Sequence, residues 1–245
     1  MTHIRVILPG YNTKVLNKEM LKPFESPGLE LSVDYADIAV DAVRHEFDIA
    51  LMAPYLIKKV IKAEQEKVHA IVIDMMADVA MRALREAVTI PVVSLAETAT
   101  HVAAMMGNNF AIINTTDELT PIQESLVRSY GLYDRLACIQ GIQLDPHDDY
   151  HSEKTIHSLV EQCADAVIKK HADTLIFGSG RLIGYREIIQ KGLEEKGLHI
   201  TIIEPLPTGI YFAKFLVDSK ISQSKYVYRS PDASTLKTYS KILGN

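Results

Sequence analysis

The chain has 245 residues, 47% hydrophobic and 23% charged, with a formal net charge of −5. That is enough to bury one large core or two ordinary ones without cross-links, and it excludes a disordered or collagen-like chain. The charge pattern also argues against nucleic acid as a partner, because Lys and Arg never gather into a run that would track a phosphate backbone. No stretch reaches the roughly twenty apolar residues of a bilayer span, and the opening MTHIRVILPG is too short for a signal-peptide core. Cys138 and Cys163 lie far apart, without Cys-x-x-Cys spacing. The expectation is a cytoplasmic protein with no membrane partner, two reduced thiols and no structural zinc.

In chain order, eight short apolar runs alternate with longer amphipathic stretches: HIRVIL, LELSVDY, HAIVID, IPVVSL, FAIINT, RLACIQGIQL, DTLIFG and HITIIE. The alternation predicts an α/β protein with mainly parallel sheets, and the continuous apolar character of AIVI, VVSL, AIIN and TLIF fits strands buried on both faces. Between them, Thr116-Asp117-Glu118 opens a helix that Gly131 closes, and Ser152-x-x-Thr155 opens another running to Lys170. On that second helix Leu159, Val160, Cys163, Val167 and Ile168 are expected in the core, with His151, His157 and His171 flanking it in solvent.

The segment from HAIVID to VVSL has the same order of events as the one from ADTLIFGSG to HITIIEP: apolar strand, small-residue turn, helix, second strand. This predicts two pseudo-symmetric α/β lobes, residues 1–95 with 206–245 and residues 96–205. The turns after Ile73 and Phe177 then fall at carboxyl ends of parallel strands, where ligands bind in open α/β sheets, and are expected to face each other across an interlobe cleft.

These segments carry a family resemblance. VILPGYNT, EFDIALMAPYLIKKVIKAE, IPVVSLAETATHVA, FAIINTTDELTPIQESLVRSYGL and ADTLIFGSGRLIG resemble, in order and near spacing, the aspartate/glutamate/hydantoin racemase superfamily, closest to its hydantoin and allantoin racemase branch. The resemblance covers nearly the whole chain. It implies two α/β lobes and a cofactor-independent enzyme in which one cysteine from each lobe exchanges a proton on opposite faces of a substrate carbon. A thiol suits that task because its pKa near 8.5 lets it serve as acid or base close to neutrality. This chain departs from the pattern at both positions: Met75 aligns with the first cysteine and Ser179 with the second, while Cys138 and Cys163 match neither. A thioether exchanges no proton and an unassisted serine hydroxyl is a far weaker acid, so two-thiol racemisation is not expected.

Three readings stay open. In the first, Asp74 or Asp78, which flank Met75, acts as the base, against the alternative of a helix N-cap. In the second, Ser179 between Gly178 and Gly180 acts as nucleophile or as hydrogen-bond donor, with His101 or Glu204 as its partner. The elbow pattern Gly-x-Ser-x-Gly is not met, since Phe177 and Arg181 stand at its outer positions. In the third, the fold binds a small ligand without turning it over. Asn114, Thr115 and Thr116 are candidates to hold a carboxylate or ureide oxygen, as are Tyr11, Asn12 and Thr13 after the first strand; each set also reads as a plain cap. Met75, Gly178 and Gly180 would line the same site, and Arg181 would favour an anionic small-molecule substrate unless it turns to solvent. Glu97 matches a family Glu that orients loops. The acidic loop 145–153, with His147, Asp148, Asp149 and His151, is expected to be a connector, and no metal or cofactor is expected. Isomerase, lyase and hydrolase outcomes are left open. The helix face around Met105 and Met106 reads either as core or as the interface of a homo-oligomer.

Overall fold

A computed structural model describes residues 1–10, 16–38, 43–142, 152–179 and 182–239. It forms an α/β protein in two compact units, Met1–Leu95 with Gly209–Asn245 and Ala96–Thr208. The unit boundaries fall inside two helices, α4 (Leu95–Met106) and α8 (Pro205–Asp218). No helix among the described residues is long and apolar enough to cross a membrane.

In the first unit, β1 (Thr2–Leu8), β2 (Leu29–Tyr35), β3 (Ala70–Ile73) and β4 (Val92–Ser94) form one sheet in the order β2-β1-β3-β4. In the second, β5 (Phe110–Asn114), β6 (Leu136–Gly141), β7 (Thr174–Phe177) and β8 (Thr201–Ile203) repeat that order as β6-β5-β7-β8. All strand pairs within both sheets are parallel. Each apolar run named above supplies one strand, and AIVI, FAIIN and TLIF are buried along their whole length, as strands covered on both faces must be.

The remaining helices are α1 (Lys18–Leu21), α2 (Glu46–Gln65), α3 (Met81–Ala87), α5 (Thr120–Ser129), α6 (Glu153–Lys170), α7 (Arg186–Glu195) and α9 (Ala233–Thr238). On α2 the residues Met52, Leu56, Val60 and Ala63 recur at helical spacing and bury against the first sheet with Ile7, Ile71 and Ile73. The same helix buries Lys59, whose ammonium lies 3.0 Å from Asp34 and 3.1 Å from Asp37. Burial alone would lower its pKa, but the two carboxylates hold it above the ordinary lysine value.

On α6, Ser152 caps the first turn by accepting from the Thr155 N–H at 3.2 Å, and Leu159, Val160 and Cys163 pack with β7 and α7. Ile168 departs from its expected place in the core. It is exposed because nine residues at about 100° each put it on the helix face opposite Leu159. The helix opened by Thr116 likewise starts later, at Thr120, with residues 116–119 forming a turn that Asp117 ties to β6.

After α8 the chain returns to the first unit. Gln223 donates from Nε2 to the carbonyls of Val88 (3.0 Å) and Ile90 (2.8 Å) and accepts the Val92 N–H at 3.3 Å. Lys225 donates to the Arg85 carbonyl at 2.8 Å, and the Tyr228 ring lies under the Arg82 and Arg85 guanidinium groups at 5.8 and 5.7 Å. These contacts satisfy carbonyls that the end of α3 leaves open.

Candidate functional site

The two units place equivalent turns at the carboxyl ends of β3 and β7. The Asp74 N–H donates to the Ile7 carbonyl of β1 at 2.9 Å, and the Gly178 N–H donates to the Ile113 carbonyl of β5 at 2.8 Å. Ile7 pairs with Ile73 and Ile113 with Phe177. The register therefore makes Asp74 the counterpart of Gly178, Met75 the counterpart of Ser179, and Leu8 the counterpart of Asn114.

In the first turn the Met75 N–H reaches back to the Ile73 carbonyl at 2.9 Å, and its side chain packs on the apolar core of that unit. Asp78 is buried, engaged with neighbours, and held at φ 46°; Ala80 follows at φ 54° and begins α3. Two side-chain-bearing residues in the left-handed region within three positions cost about 1–3 kcal/mol each, a strain that concentrates at functional turns. Asp74 itself is partly exposed, and burial of its carboxyl raises its pKa to about 7. Among the described residues burial is the one cause of that shift.

In the second turn the polar groups are spent differently. Asn114 and Gln123, both buried, form a reciprocal amide pair: Asn114 Nδ2 donates to Gln123 Oε1 at 2.7 Å, and Gln123 Nε2 donates to Asn114 Oδ1 at 3.2 Å. A Cβ on Gly178 would lie 1.8 Å from Asn114 Oδ1, so this position accepts only glycine while the amide pair is in place. Ser179 is partly exposed, has a bonding partner of its own, and accepts the Leu182 N–H at 3.0 Å through its carbonyl. Thr115 and Thr116 are partly buried, and the Thr116 hydroxyl donates to Glu118 at 3.5 Å.

Glu204, one residue past β8, accepts the Gly184 N–H at 3.0 Å and so ties down the far end of the Ser179 loop, where Gly184 needs φ 83°. His101 donates from Nδ1 to the Glu97 carbonyl at 2.7 Å within α4, with its ring 6.0 Å from Tyr130. Cys163 is buried, which pushes its thiol up to about 12, and burial also raises Cys138; both belong to the core of the second unit. Tyr11, Asn12, Thr13, Gly180, Arg181 and the loop residues His147, Asp148, Asp149 and His151 lie outside the described residues. Among the described residues no three His, Cys, Asp or Glu side chains converge on one point.

A sequence profile of the Asp/Glu/hydantoin racemase family matches residues 14–213. The chain belongs to that family. Among its relatives, the hydantoin racemase of Pseudomonas sp. (strain NS671) is 26% identical over 206 residues, covering 82% of this chain and 81% of that one. The allantoin racemase from Klebsiella pneumoniae superposes with a TM-score of 0.84 at 22% identity, over 95% of this chain and 94% of that structure. Arylmalonate decarboxylase shares the fold at a TM-score of 0.60 and 14% identity, over 88% of this chain and 92% of its own. The racemase fold thus accounts for both four-stranded parallel sheets.

The sequence pointed to Asp74, Ser179, Asn114 and Glu204, but not to the contacts that set their surroundings. Gln123 reads as an ordinary surface glutamine of an amphipathic helix, and only the fold brings its amide to Asn114. The Glu204 clamp has a faint signal, a carboxylate directly after an apolar strand, opposite a glycine-flanked turn. Ala80 in the left-handed region has no sequence signal at all.

Proposed function

We propose that this member of the racemase family is a cofactor-independent enzyme that moves a proton at an activated carbon of a small carboxylate- or ureide-containing molecule, with Asp74 in place of the first thiol. The observation that carries this reading is the Asp74 carboxyl: it sits at the carboxyl end of β3, next to Met75, with burial raising its pKa to about 7. A carboxylate raised that far is a stronger base than an exposed one, and it is half-ionised under the conditions in which it would work. In the forward step Asp74 takes the proton from a carbon next to a carbonyl, and the electron pair of the broken C–H bond moves into the enolate. Ser179 then serves as a hydrogen-bond donor to the substrate, and the N–H groups around Thr115 and Thr116 hold a carboxylate or ureide oxygen. Arg181 would favour an anionic substrate. Isomerisation results if Ser179 or a water delivers a proton to the other face while Asp74 releases its own to solvent. Decarboxylation is a second reaction worth assaying, given the fold shared with arylmalonate decarboxylase: the C–C bond to a carboxylate breaks, CO2 leaves, its electron pair forms the enolate, and protonated Asp74 gives its proton to that carbon.

The test is incubation of the protein in deuterated water with hydantoins, allantoin, amino acids and small dicarboxylates, following deuterium incorporation, optical inversion and mass loss. Exchange that disappears in Asp74→Asn supports the reading. Ligand-induced stabilisation without exchange, inversion or mass change would replace it with a silent ligand-binding protein on the same fold.

A further inference from the structure

A polar patch of the first sheet lies apart from both turns. His3 and Arg5 stand two apart on β1, and their register partners on β2 are Glu30 and Ser32. Residues two apart in a strand share a face, so these four side chains form a square on one side of the sheet. β2 is an edge strand, and no described strand pairs with its outer side. Asp74 follows β3 just beyond the Ile7–Ile73 pair, whereas His3 is four residues back along β1, about 13 Å away at the rise of a strand. Across the diagonal of the square, the Ser32 hydroxyl lies 2.7 Å from His3 Nε2. Arg5 Nε donates to the same oxygen at 3.0 Å. The Ser32 oxygen therefore accepts from a guanidinium while its one hydrogen goes to the imidazole.

Both partners of the serine are held in place. The Arg5 guanidinium pairs with Glu66 at the end of α2. The His3 N–H donates to His69 Nδ1 at 3.0 Å, and the His3 carbonyl accepts the His69 N–H at 2.8 Å. Burial lowers the His3 pKa against the opposing charge of Glu30, which keeps the ring in the neutral form that can accept a proton. Once the ring is protonated, the same Glu30 charge favours the imidazolium, the part a carboxylate plays beside a catalytic histidine. A serine on an edge strand has water for its hydroxyl. Ser32 instead engages two basic side chains that polarise its O–H bond in one direction, and Ser32 and His3 both remain partly exposed. We propose that Ser32 is a nucleophile with His3 as its general base, and that this patch hydrolyses small activated carboxylic esters through an acyl-serine. Ser32 Oγ bonds to the ester carbonyl carbon as its proton passes to His3 Nε2. The bond from that carbon to the leaving oxygen then breaks, and His3 gives the proton to the departing alcohol. Water attacks the acyl carbon and yields a proton to His3; the carboxylic acid leaves and Ser32 Oγ takes that proton back. Arg5 supplies positive charge beside the tetrahedral intermediate of each half.

The test treats the full chain with a fluorophosphonate probe and, separately, with p-nitrophenyl acetate, and locates the modified residue by peptide mass spectrometry. One phosphonate per chain is expected on Ser32, with loss of that label and of ester hydrolysis in Ser32→Ala. His3→Gln should slow labelling by about a hundredfold or more while leaving the far-ultraviolet circular dichroism unchanged. Wild-type protein that carries no label on Ser32 would overturn the proposal without recourse to any variant. So would ester hydrolysis at full rate in Ser32→Ala, labelling of Ser32 at an unchanged rate in His3→Gln, or labelling of Ser32 that persists when the wild-type chain is unfolded in urea.

Discussion

The turns after β3 and β7 occupy the same place in two sheets of the same topology, yet they use their polar groups in opposite ways. In the second turn a buried amide is paired twice over, Asn114 with Gln123, and the neighbouring position is reduced to glycine to make room. In the first turn the counterpart of Asn114 is Leu8, the counterpart of Gly178 is Asp74, and burial of that carboxyl raises its pKa to about 7. One turn has its buried amide paired; the other keeps a group whose charged form is costly. Buried polar groups in folded proteins are nearly always paired, so a strand-end carboxyl whose pKa burial raises this far is a feature that points to a functional reason.

The largest expected effect tests that reason. Asp74→Asn should lower substrate deuterium exchange by about a hundredfold or more, the usual contribution of a general base, while Ser179→Ala should lower it less, because a hydrogen-bond donor is lost rather than the proton acceptor. The same variant should shift stability. The folded pKa of Asp74, about 7, lies above the ordinary 3.8, so the folded state binds the proton more tightly. The group thus favours folding fully below about pH 4, and that advantage is lost as pH rises through 7, by up to about 4 kcal/mol before discounting for its partial exposure. Urea unfolding from pH 5 to 8 should therefore show wild type losing stability relative to Asp74→Asn.

Next in size, Gly178→Ala should destabilise the protein by about 3 kcal/mol, because the new methyl collides with Asn114 Oδ1. Asp74→Ala at the equivalent position should be tolerated or stabilising. Thermal unfolding of the two variants side by side would break the comparison if both behaved alike. Smaller again, Gln123→Leu leaves the buried Asn114 amide without its partner and should cost about 2 kcal/mol in a urea titration.

The smallest effect lies far from either turn. His3 accepts at Nε2 from the Ser32 hydroxyl at 2.7 Å, and burial, with Arg5 and His69 nearby, lowers its pKa, although Glu30 and Glu66 oppose this. Its contribution to stability is present above the ordinary histidine pKa of 6.5 and is lost as pH falls through the lowered folded value. His3→Asn should flatten that acid limb in thermal melts below pH 6.5.

The sheets were legible in the sequence because parallel strands buried on both faces read as unbroken apolar runs, and AIVI, FAIIN and TLIF are such runs. The start of α6 was legible because Ser152 caps it with its own side chain. Ile168 was not, because an apolar residue near the end of an amphipathic helix satisfies a loose spacing rule while pointing away from the core. In the candidate site Met75 and Ser179 were singled out because the resemblance implies cysteines there, and Asp74 as the carboxylate beside Met75. Their environments were not. The Asn114–Gln123 pair joins β5 to the helix that follows it, and the shift of Asp74 comes from burial; both depend on how the elements pack, which a spacing rule along the chain does not encode.

The account rests on one titration. Carbon-13 NMR of aspartate-carboxyl-labelled protein, with Asp74→Asn used to assign the resonance, should show one carboxyl titrating near pH 7 and absent from the variant. An Asp74 carboxyl that titrates at or below pH 4 would contradict the account.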